Sequence, residues 1–228
     1  MSVDWTRVRA VCLDMDGTLV DSDAAWLRAT RAAFARHGLE LTEAIYAETL
    51  GLDNASGVRA VLRHFPGSTL DEKTLVHSLE ESIRAEFRQD VIPMPGANEL
   101  LIQWKARWPL ALVSTSSEAL IDAALEGLGW REHFVLRLSS EQVGPSKPDP
   151  AVYREAARRL GVDPAEALAV EDSLNGARSA HAAGMQVIGI ASDPALAAQL
   201  LPFVTEWVPS LAVLLNDAAL RNTRKKGV

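Results

Sequence analysis

Two pairs of acidic residues each follow a short apolar run, and they are the residues of this chain best suited to chemistry. Asp14 and Asp16 follow the run VRAVCL, and Glu171 and Asp172 follow the run ALAV. Carboxylates held this close repel one another, which favours the protonated form unless a cation lies between them. A hard divalent cation takes oxygen ligands of this kind. The pairs therefore predict a divalent metal site. The alternative is a set of polar turns in which, for example, Ser173 caps the following helix.

Hydroxyl groups and one lysine could add an anion site. Ser114 and Thr115 stand at the end of a third apolar run and lead towards Glu118. Hydroxyls and free backbone N–H groups at the start of a helix bind anions, although Thr115-x-x-Glu118 also fits a simple helix cap. Lys147 stands in the segment GPSKPDP, where the prolines restrict the backbone. We interpret it as a positioned cation, with an exposed lysine in a proline-rich turn as the alternative.

The elements that must position these residues alternate along most of the chain. Five short apolar runs predict buried strands, at Val8–Leu13, Leu110–Val113, Phe134–Leu138, Ala167–Val170 and Gln186–Ile190. Helical patterns lie between them, at Gly96–Ala106, Glu118–Leu128, Ala151–Leu160 and Asn175–Ala183. This alternation predicts a Rossmann-like α/β core with a parallel sheet covered on both faces. In such sheets the chemistry lies beyond the carboxyl ends of the strands, where both acidic pairs and the Ser114-Thr115 segment stand.

Residues 19–92 break this alternation and contain helical patterns only. The patterns are Ala24–His37, Thr42–Leu50, Ser56–His64 and Asp71–Arg88, and the segment ends at the stiff connector IPMPG. We therefore predict three segments: core residues 1–18, an inserted helical-bundle cap at 19–92, and the remainder of the α/β core at 93–228.

Composition excludes several classes of protein. The chain has 228 residues, 48% of them hydrophobic, and a formal net charge of −7, so no overall positive field attracts nucleic acid or an anionic membrane. The basic tail RNTRKKGV is too short to change this and is predicted to be a solvated end. The single cysteine, Cys12, predicts no internal disulfide. No apolar run reaches signal-peptide or membrane-span length. We expect a cytoplasmic protein that is a monomer or a weak homodimer.

Taken in order, the four segments resemble the motifs of the haloacid dehalogenase superfamily. The resemblance covers nearly the whole chain, and the helical insert is similar to the cap of its β-phosphoglucomutase-like branch. It implies that Asp14 is the nucleophile and Asp16 the general acid/base. It also implies that Ser114, Thr115 and Lys147 bind the phosphoryl group of a small phosphorylated metabolite. Mg2+ would be held by the acidic residues Asp14, Asp16, Glu171 and Asp172.

Within the superfamily the alternatives are a phosphatase, a phosphomutase and a dehalogenase. Dehalogenases lack the second carboxylate of the first motif, so Asp16 disfavours that activity. The mutase branch resembles a pattern with histidine where this chain has Trp26, which favours hydrolysis over transfer. The segments around Trp26 and the stretch ETLGL are most similar to 2-deoxyglucose-6-phosphate and hexitol phosphatases, which implies sugar or polyol phosphates as substrates.

Three alternatives stay open at this point. Trp26 is either a substrate-binding residue or a packing residue of the cap. Phosphoglycolate phosphatases share much of the pattern, and a β-phosphoglucomutase-like activity is the other enzymatic alternative. In a different class, a non-catalytic phospho-acceptor or binding module would also use acidic residues, magnesium and a lysine. Such modules are usually shorter and have no helical insert, so we expect an enzyme.

Overall fold

The centre of the molecule is a six-stranded parallel sheet, in a computed structural model that describes residues 2–50, 52–89 and 91–215. The strand order is β5-β4-β1-β6-β7-β8, and every neighbouring pair is parallel. The strands are β1 Ala10–Leu13, β4 Leu110–Ser114, β5 Leu136–Ser139, β6 Ala167–Glu171, β7 Gln186–Ile190 and β8 Glu206–Val208. The predicted Rossmann-like α/β fold is confirmed.

Helices cover both faces of this sheet, which is why its central strands are apolar without alternation. Along β1, Val11 and Leu13 face one hydrophobic cluster, whereas Cys12 faces another. The helices that follow in the core segment and contribute to these two clusters are α5 Ala97–Lys105, α6 Glu118–Leu128, α7 Ala151–Leu160, α8 Leu174–Ala183, α9 Pro194–Leu200 and α10 Leu211–Leu214. Strands β1, β4 and β6 lie side by side at the centre, so their carboxyl ends form one edge.

Along the described part of the chain, four helices come after β1 and before the next strand of the sheet, as the helical patterns predict. They are α1 Asp23–Ala35, α2 Glu43–Ala47, α3 Asn54–Leu62 and α4 Glu72–Gln89. The chain enters this group of helices through β2 Val20–Asp21 and leaves it through β3 Ile92–Pro93. These two short strands pair as an antiparallel ribbon. The helices have a hydrophobic cluster of their own, which includes Phe34, Val58 and Leu75. We call this group the cap; the exact domain boundaries stay a prediction.

Several element bounds differ from the predictions for identifiable reasons. Strand β5 begins at Leu136 rather than Phe134, because a 3₁₀ turn at Arg131–His133 places Phe134 in a loop, buried in a hydrophobic cluster beside the sheet. Helix α2 is shorter than expected, since the N–H groups of Glu48 and Thr49 bond three residues back and tighten the chain into a turn. Val8 is buried but precedes the first strand.

The short elements β2, β3, β8, α9 and α10 have no counterpart in the sequence prediction. The basic tail Arg221–Val228 lies outside the described residues. In the part of the chain that the structure describes, every helix is too short or too polar to cross a bilayer.

Candidate active site

The predicted site residues meet at the carboxyl edge of the sheet because their strands are neighbours. Leu13 of β1 is in register with Leu112 of β4 on one side and with Val170 of β6 on the other. The residues that follow these positions therefore emerge together. The backbone N–H of Asp14 donates to the carbonyl of Val170 at 3.1 Å, which holds the turn after β1 against β6.

Three carboxylates form a compact acidic cluster at this edge. Asp14, Glu171 and Asp172 each offer one oxygen, and these oxygens lie within 4.8 Å of one another. Burial, and then the charge of Glu171, raise the pKa of Asp14 well above its usual range. The same two causes raise the pKa of Asp172 to about 7. Three carboxylates this close, of which Asp14 and Asp172 resist ionisation without a cation, fit a divalent metal ion.

Lys147 lies against this cluster and is itself buried. Its Nζ donates to Asp14 Oδ1 at 2.6 Å, to Glu171 Oε1 at 2.6 Å and to the Val113 carbonyl at 3.0 Å. These contacts use all three donors of the ammonium group. Burial alone would lower the pKa of Lys147, but the carboxylates of Asp14 and Glu171 outweigh it and raise that pKa. The alternative of an exposed lysine in a turn is therefore wrong.

Replacing this lysine should destabilise the fold. In Lys147→Met the carboxylates of Asp14 and Glu171 lose their cation, and breaking such a buried pair costs about 3–5 kcal/mol of the free energy of unfolding. The loss should be smaller at pH 5 than at pH 8, because burial and the charge of Glu171 raise the pKa of Asp14 and so favour its uncharged form at the lower pH. Urea unfolding at pH 5 and pH 8 would measure it. The control is Lys73→Met, at an exposed position of α4, where we expect a change within about 0.5 kcal/mol. Equal effects of the two variants would contradict the ion-pair assignment.

Groups outside the predicted set orient the acidic cluster. The Tyr153 hydroxyl, on α7, donates to Glu171 Oε1, and the Thr18 hydroxyl donates to Asp172 Oδ1 at 2.9 Å. Burial, followed by the charges of Glu171 and Asp14, raises the pKa of Tyr153 well above its usual value. Thr18 lies two residues after Asp16, so its place in the sequence beside the first acidic pair could have indicated a role at the site. Tyr153 is indistinguishable in sequence from any apolar-face residue of its helix.

Glycine is required where the chain passes close to these carboxylates. Gly17 has φ of +79°, and a Cβ there would lie 2.1 Å from Asp172 Oδ2. Gly176 lies in the first turn of α8, and a Cβ there would lie 1.9 Å from Glu171 Oε2. Both glycines therefore let backbone approach a buried acid more closely than any other residue would allow.

The Asp16 carboxylate points away from the acidic cluster. Its Oδ2 accepts from the Ser116 hydroxyl at 2.8 Å, and its Oδ1 accepts from the Trp26 indole N–H at 3.1 Å. Among the described residues, the structure thus brings Asp14, Glu171 and Asp172 together but leaves the Asp16 side chain beside the cap. The predicted acid/base position fits this placement better than a metal-ligand role does.

The hydroxyl segment after β4 is arranged differently from the predicted cap. Helix α6 begins at Glu118 with Ser117 as its N-cap residue, and no side chain makes a capping hydrogen bond. The capping interpretation of Thr115 is therefore wrong, and Thr115 is exposed. Ser114 is buried, and its hydroxyl accepts from the Ser116 N–H at 3.0 Å. The expected Ser173 cap is present, since its hydroxyl accepts from the Gly176 N–H.

A cavity of about 680 Å³ lies between the core and the cap, above the acidic cluster. This volume suits a small-molecule ligand. Its core side is polar and includes Asp14, Asp16, Thr115, Ser116, Lys147 and Asp172. Its cap side includes the apolar or aromatic residues Trp26, Phe34, Tyr46, Leu50, Leu52 and Leu79. Ser114, in contrast, does not belong to the described lining of this cavity. A charged group can thus be bound at the floor while the cap contacts the rest of a ligand.

Comparison with known proteins gives relatives over most of the chain. The pattern of the haloacid dehalogenase-like hydrolases matches residues 8–184. Fructose-1-phosphate phosphatase YqaB of Escherichia coli is 27% identical over 186 residues, covering 82% of this chain and 98% of that protein. Hexitol phosphatase B of Escherichia coli is 29% identical over 191 residues, covering 83% and 86%.

Two further comparisons concern a longer protein and a solved structure. A bifunctional riboflavin kinase/FMN phosphatase of Arabidopsis thaliana is 32% identical over 193 residues, 81% of this chain, and the chain spans only 48% of that relative. The crystal structure of CbbY from Rhodobacter sphaeroides in complex with phosphate has a TM-score of 0.82 and 27% identity, covering 94% of this chain and 99% of that one.

These relatives agree with the family and the phosphatase group that the sequence motifs predict. Hydrolases of this family generally use a divalent metal, which agrees with the acidic cluster at the carboxyl edge of the sheet. The order of the motifs and the geometry of that edge agree with the pattern match over residues 8–184, and the chain belongs to the haloacid dehalogenase-like hydrolase family.

Proposed function

We propose that this protein is a magnesium-dependent phosphatase that hydrolyses small sugar or polyol phosphate monoesters through a phosphoaspartyl intermediate. The observation that carries this proposal is the position of Asp14. Its carboxylate lies at the floor of the cavity, 2.6 Å from the Lys147 ammonium and beside two further carboxylates. Asp14 is therefore reachable by a ligand and surrounded by the groups that charge neutralisation requires.

Asp14 acts as the nucleophile in the first step. One of its oxygens forms a bond to phosphorus while the bond from phosphorus to the ester oxygen breaks. A carboxylate and a phosphate ester repel one another, so the step depends on positive charge and on fixed geometry. Lys147 supplies one such charge and holds Asp14 through Oδ1. Mg2+ bound by Asp14 and Asp172, with Glu171 beside them, would supply the charge that stabilises the transferred phosphoryl group.

Asp16 acts as the general acid in the first step and as the general base in the second. It donates a proton to the ester oxygen as the alcohol leaves, and it later accepts one from the water that hydrolyses the aspartyl phosphate. Proton transfer of this kind contributes about a hundredfold to ten-thousandfold to rates. In the segment after β4, Thr115 and Ser116 line the cavity, and hydroxyl and backbone N–H groups of this segment would bind phosphoryl oxygens. The Ser114 hydroxyl accepts from the Ser116 N–H, and its predicted contact with the phosphoryl group is part of the proposal.

The substrate class follows from the cavity and from the relatives. A polar floor that can bind the charged phosphoryl group, next to a cap side that carries apolar, aromatic and polar side chains, fits a small phosphate monoester. Two relatives are named as phosphatases of fructose 1-phosphate and of hexitol phosphates, which supports a sugar or polyol phosphate. A cytoplasmic location and a monomeric or weakly dimeric state complete the proposal.

Phosphate release from a panel of esters tests this function directly. The panel contains sugar, polyol and glycolate phosphates, each with and without Mg2+, and Asp14→Asn serves as the blank. We expect Mg2+-dependent release that is greatest for a sugar or polyol phosphate. Preference for phosphoglycolate would change the substrate class. Interconversion of glucose 1-phosphate and glucose 6-phosphate without release would indicate a mutase. Inactivity in all assays would favour the binding module.

Metal binding should change the stability of the protein in a pH-dependent way. The folded pKa of Asp172 is about 7, above its unfolded value near 3.8. The folded, metal-free protein therefore holds a proton that the unfolded chain releases, and this stabilisation is lost as the pH rises from about 4 towards 7. Mg2+ binds the ionised carboxylates. At pH 8, a free Mg2+ concentration near a hundred times Kd should therefore raise Tm by about 5–10 °C. At pH 5.5 the same concentration should raise Tm less.

Thermal unfolding of EDTA-treated protein, with Mg2+ added back at both pH values, measures this difference. Asp172→Asn should lose most of the Mg2+ effect. Asp122→Asn removes a carboxylate that pairs with Arg131 on the surface and should keep the effect. A Mg2+ shift of equal size at both pH values would show that the ion does not bind the buried acids.

A further inference from the structure

The carboxylate of Asp16 is held by two donors that come from different parts of the molecule. Ser116 belongs to the loop after β4 in the core and binds Oδ2 at 2.8 Å. Trp26 belongs to helix α1 in the cap and binds Oδ1 at 3.1 Å. Asp16 therefore joins core and cap at the edge of the cavity that its carboxylate lines.

The two donors differ in what they allow. An indole N–H donates only, whereas a hydroxyl donates or accepts. While Trp26 is bonded to Oδ1, that oxygen must remain an acceptor and has no room for a proton in the same direction. Oδ2 faces a hydroxyl that tolerates either state. The proton that Asp16 gives or takes is thus directed to Oδ2.

The indole ring is itself held in place. It packs edge-to-face against Phe87 of α4, with ring centroids 6.1 Å apart and planes at 83°. The Thr30 hydroxyl donates to the Trp26 carbonyl at 2.7 Å, one turn along α1. The ring also contacts both the core cluster and the cap cluster. Because the ring is held this firmly, its N–H orients the Asp16 carboxylate before a ligand enters. Ligand binding therefore need not restrict the ring further.

We propose that Trp26 is a positioning residue for the general acid/base: its indole N–H holds Asp16 Oδ1 and so directs proton transfer through Oδ2. This inference rests on the proposed function, because it assigns Asp16 a proton-transfer step. In that step the proton moves from Asp16 Oδ2 to the ester oxygen as the bond to phosphorus breaks and the bond to Asp14 forms. Trp26 thus contributes through Asp16 and not through recognition of a sugar.

Two aryl phosphates of similar size separate these roles. Phenol is a weak acid with a pKa near that of the tyrosine side chain, about 10, so phenyl phosphate needs a proton on its leaving oxygen. The nitro group of p-nitrophenyl phosphate stabilises the leaving anion, which departs with little need of a proton. Neither ester carries a sugar. The value of kcat/KM reports the step in which the leaving group departs and excludes the later hydrolysis of the aspartyl phosphate.

Trp26→Phe removes the N–H while keeping an aromatic ring against Phe87. We expect kcat/KM for phenyl phosphate to fall about tenfold to a hundredfold, since misplacing a catalytic group by about 1 Å costs up to about a hundredfold. For p-nitrophenyl phosphate we expect little change. Ser116→Ala removes the other hydrogen bond to Asp16 and also a hydroxyl proposed to bind the phosphoryl group, so it should lower kcat/KM for both esters and lower it more for phenyl phosphate. Phe87→Leu loosens the packing without removing a donor and should change both esters by equal factors.

A measurement independent of turnover tests the contact. In a ¹H–¹⁵N spectrum, the Trp26 indole resonance is the one missing from Trp26→Phe, and a hydrogen bond to a carboxylate moves it downfield and slows its exchange with solvent. We expect Asp16→Ala to reverse both effects. If no indole resonance moved in Asp16→Ala, the inference would be overturned, even where a Trp26 variant failed to fold.

The kinetic outcomes are equally decisive. Equal losses for both esters in Trp26→Phe, or no loss for either, would overturn the positioning role. A wild-type protein that released phosphate from no ester would overturn the proposed function and the proton-transfer role together, while the indole resonance would still decide whether the contact exists.

Discussion

Asp14→Asn is expected to abolish phosphate release while leaving the protein folded. The substituted amide cannot form the aspartyl phosphate, and loss of a covalent nucleophile lowers turnover on the order of 10⁴-fold or more. The amide oxygen can still accept from the Lys147 ammonium, which lies 2.6 Å from Asp14 Oδ1 in the wild-type protein. The shape of the site is thus kept while its chemistry is removed.

Stability should respond in the opposite direction from activity. Burial and the neighbouring carboxylates raise the pKa of Asp14, so ionised Asp14 opposes folding at neutral pH in the absence of metal. The Asn variant lacks this charge. Above pH 7, its metal-free Tm should therefore equal or exceed that of the wild-type protein, and its Mg2+ response should be smaller.

Acid-quenched protein incubated with a ³²P-labelled ester measures the intermediate itself. The wild-type protein should retain covalent label that hydroxylamine releases, and Asp14→Asn should retain none. Asp122→Asn controls for the loss of any carboxylate and should label normally. Label retained by the Asn variant would remove Asp14 from the nucleophilic role and with it the proposed mechanism.

The predictable part of this molecule is the part that local rules control. Apolar runs without alternation mark the strands, and parallel neighbours place their carboxyl ends at one edge. Asp14, Lys147 and Asp172 could therefore be assigned to one site from the sequence alone. The family resemblance added their chemical roles, since residue spacing by itself left turns and caps as alternatives.

The contacts that sequence could not predict run between distant elements or depend on rotamers. Trp26 bonds to Asp16 only because α1 returns over the loop after β1. Tyr153 reaches Glu171 only because α7 packs against the neighbouring strands β1, β4 and β5. The Ser114 hydroxyl, predicted to bind phosphate, also accepts from the Ser116 N–H, a contact that the sequence did not predict. A hydroxyl run identifies a polar loop but does not indicate which of its members faces the cavity.

Gly176→Ala is expected to have the largest effect on the fold of any methyl-sized change at the site. The added Cβ would lie 1.9–2.2 Å from three atoms of the Glu171 carboxylate, which is fully buried. Because Glu171 is bonded to Lys147 and Tyr153, it has no open space to enter. Overpacking of this kind costs about 1–3 kcal/mol and occasionally more, and we expect a loss near or above the upper value, with activity lost as Glu171 moves.

Gly57→Ala supplies the matched control. Gly57 is also a buried glycine of a helix, in α3 of the cap, but a Cβ there would meet only Thr49 at an ordinary 3.6 Å. Alanine favours helix, so this variant should be more stable than the wild-type protein by about 0.4–1 kcal/mol. Two changes of identical chemistry should thus have opposite signs in urea unfolding.

A double-mutant cycle identifies the cause of the loss at Gly176. If the clash with the Glu171 carboxylate is responsible, shortening that side chain in Glu171→Ala creates the space that the new methyl group needs. Gly176→Ala should then cost little in the Glu171→Ala background, with a coupling energy near the upper end of the 0.5–3 kcal/mol seen for contacting residues. Additive losses would mean that the glycine serves the start of α8 and not the close approach of Glu171. The requirement for glycine would then follow from the backbone, and the buried acid would have no part in it.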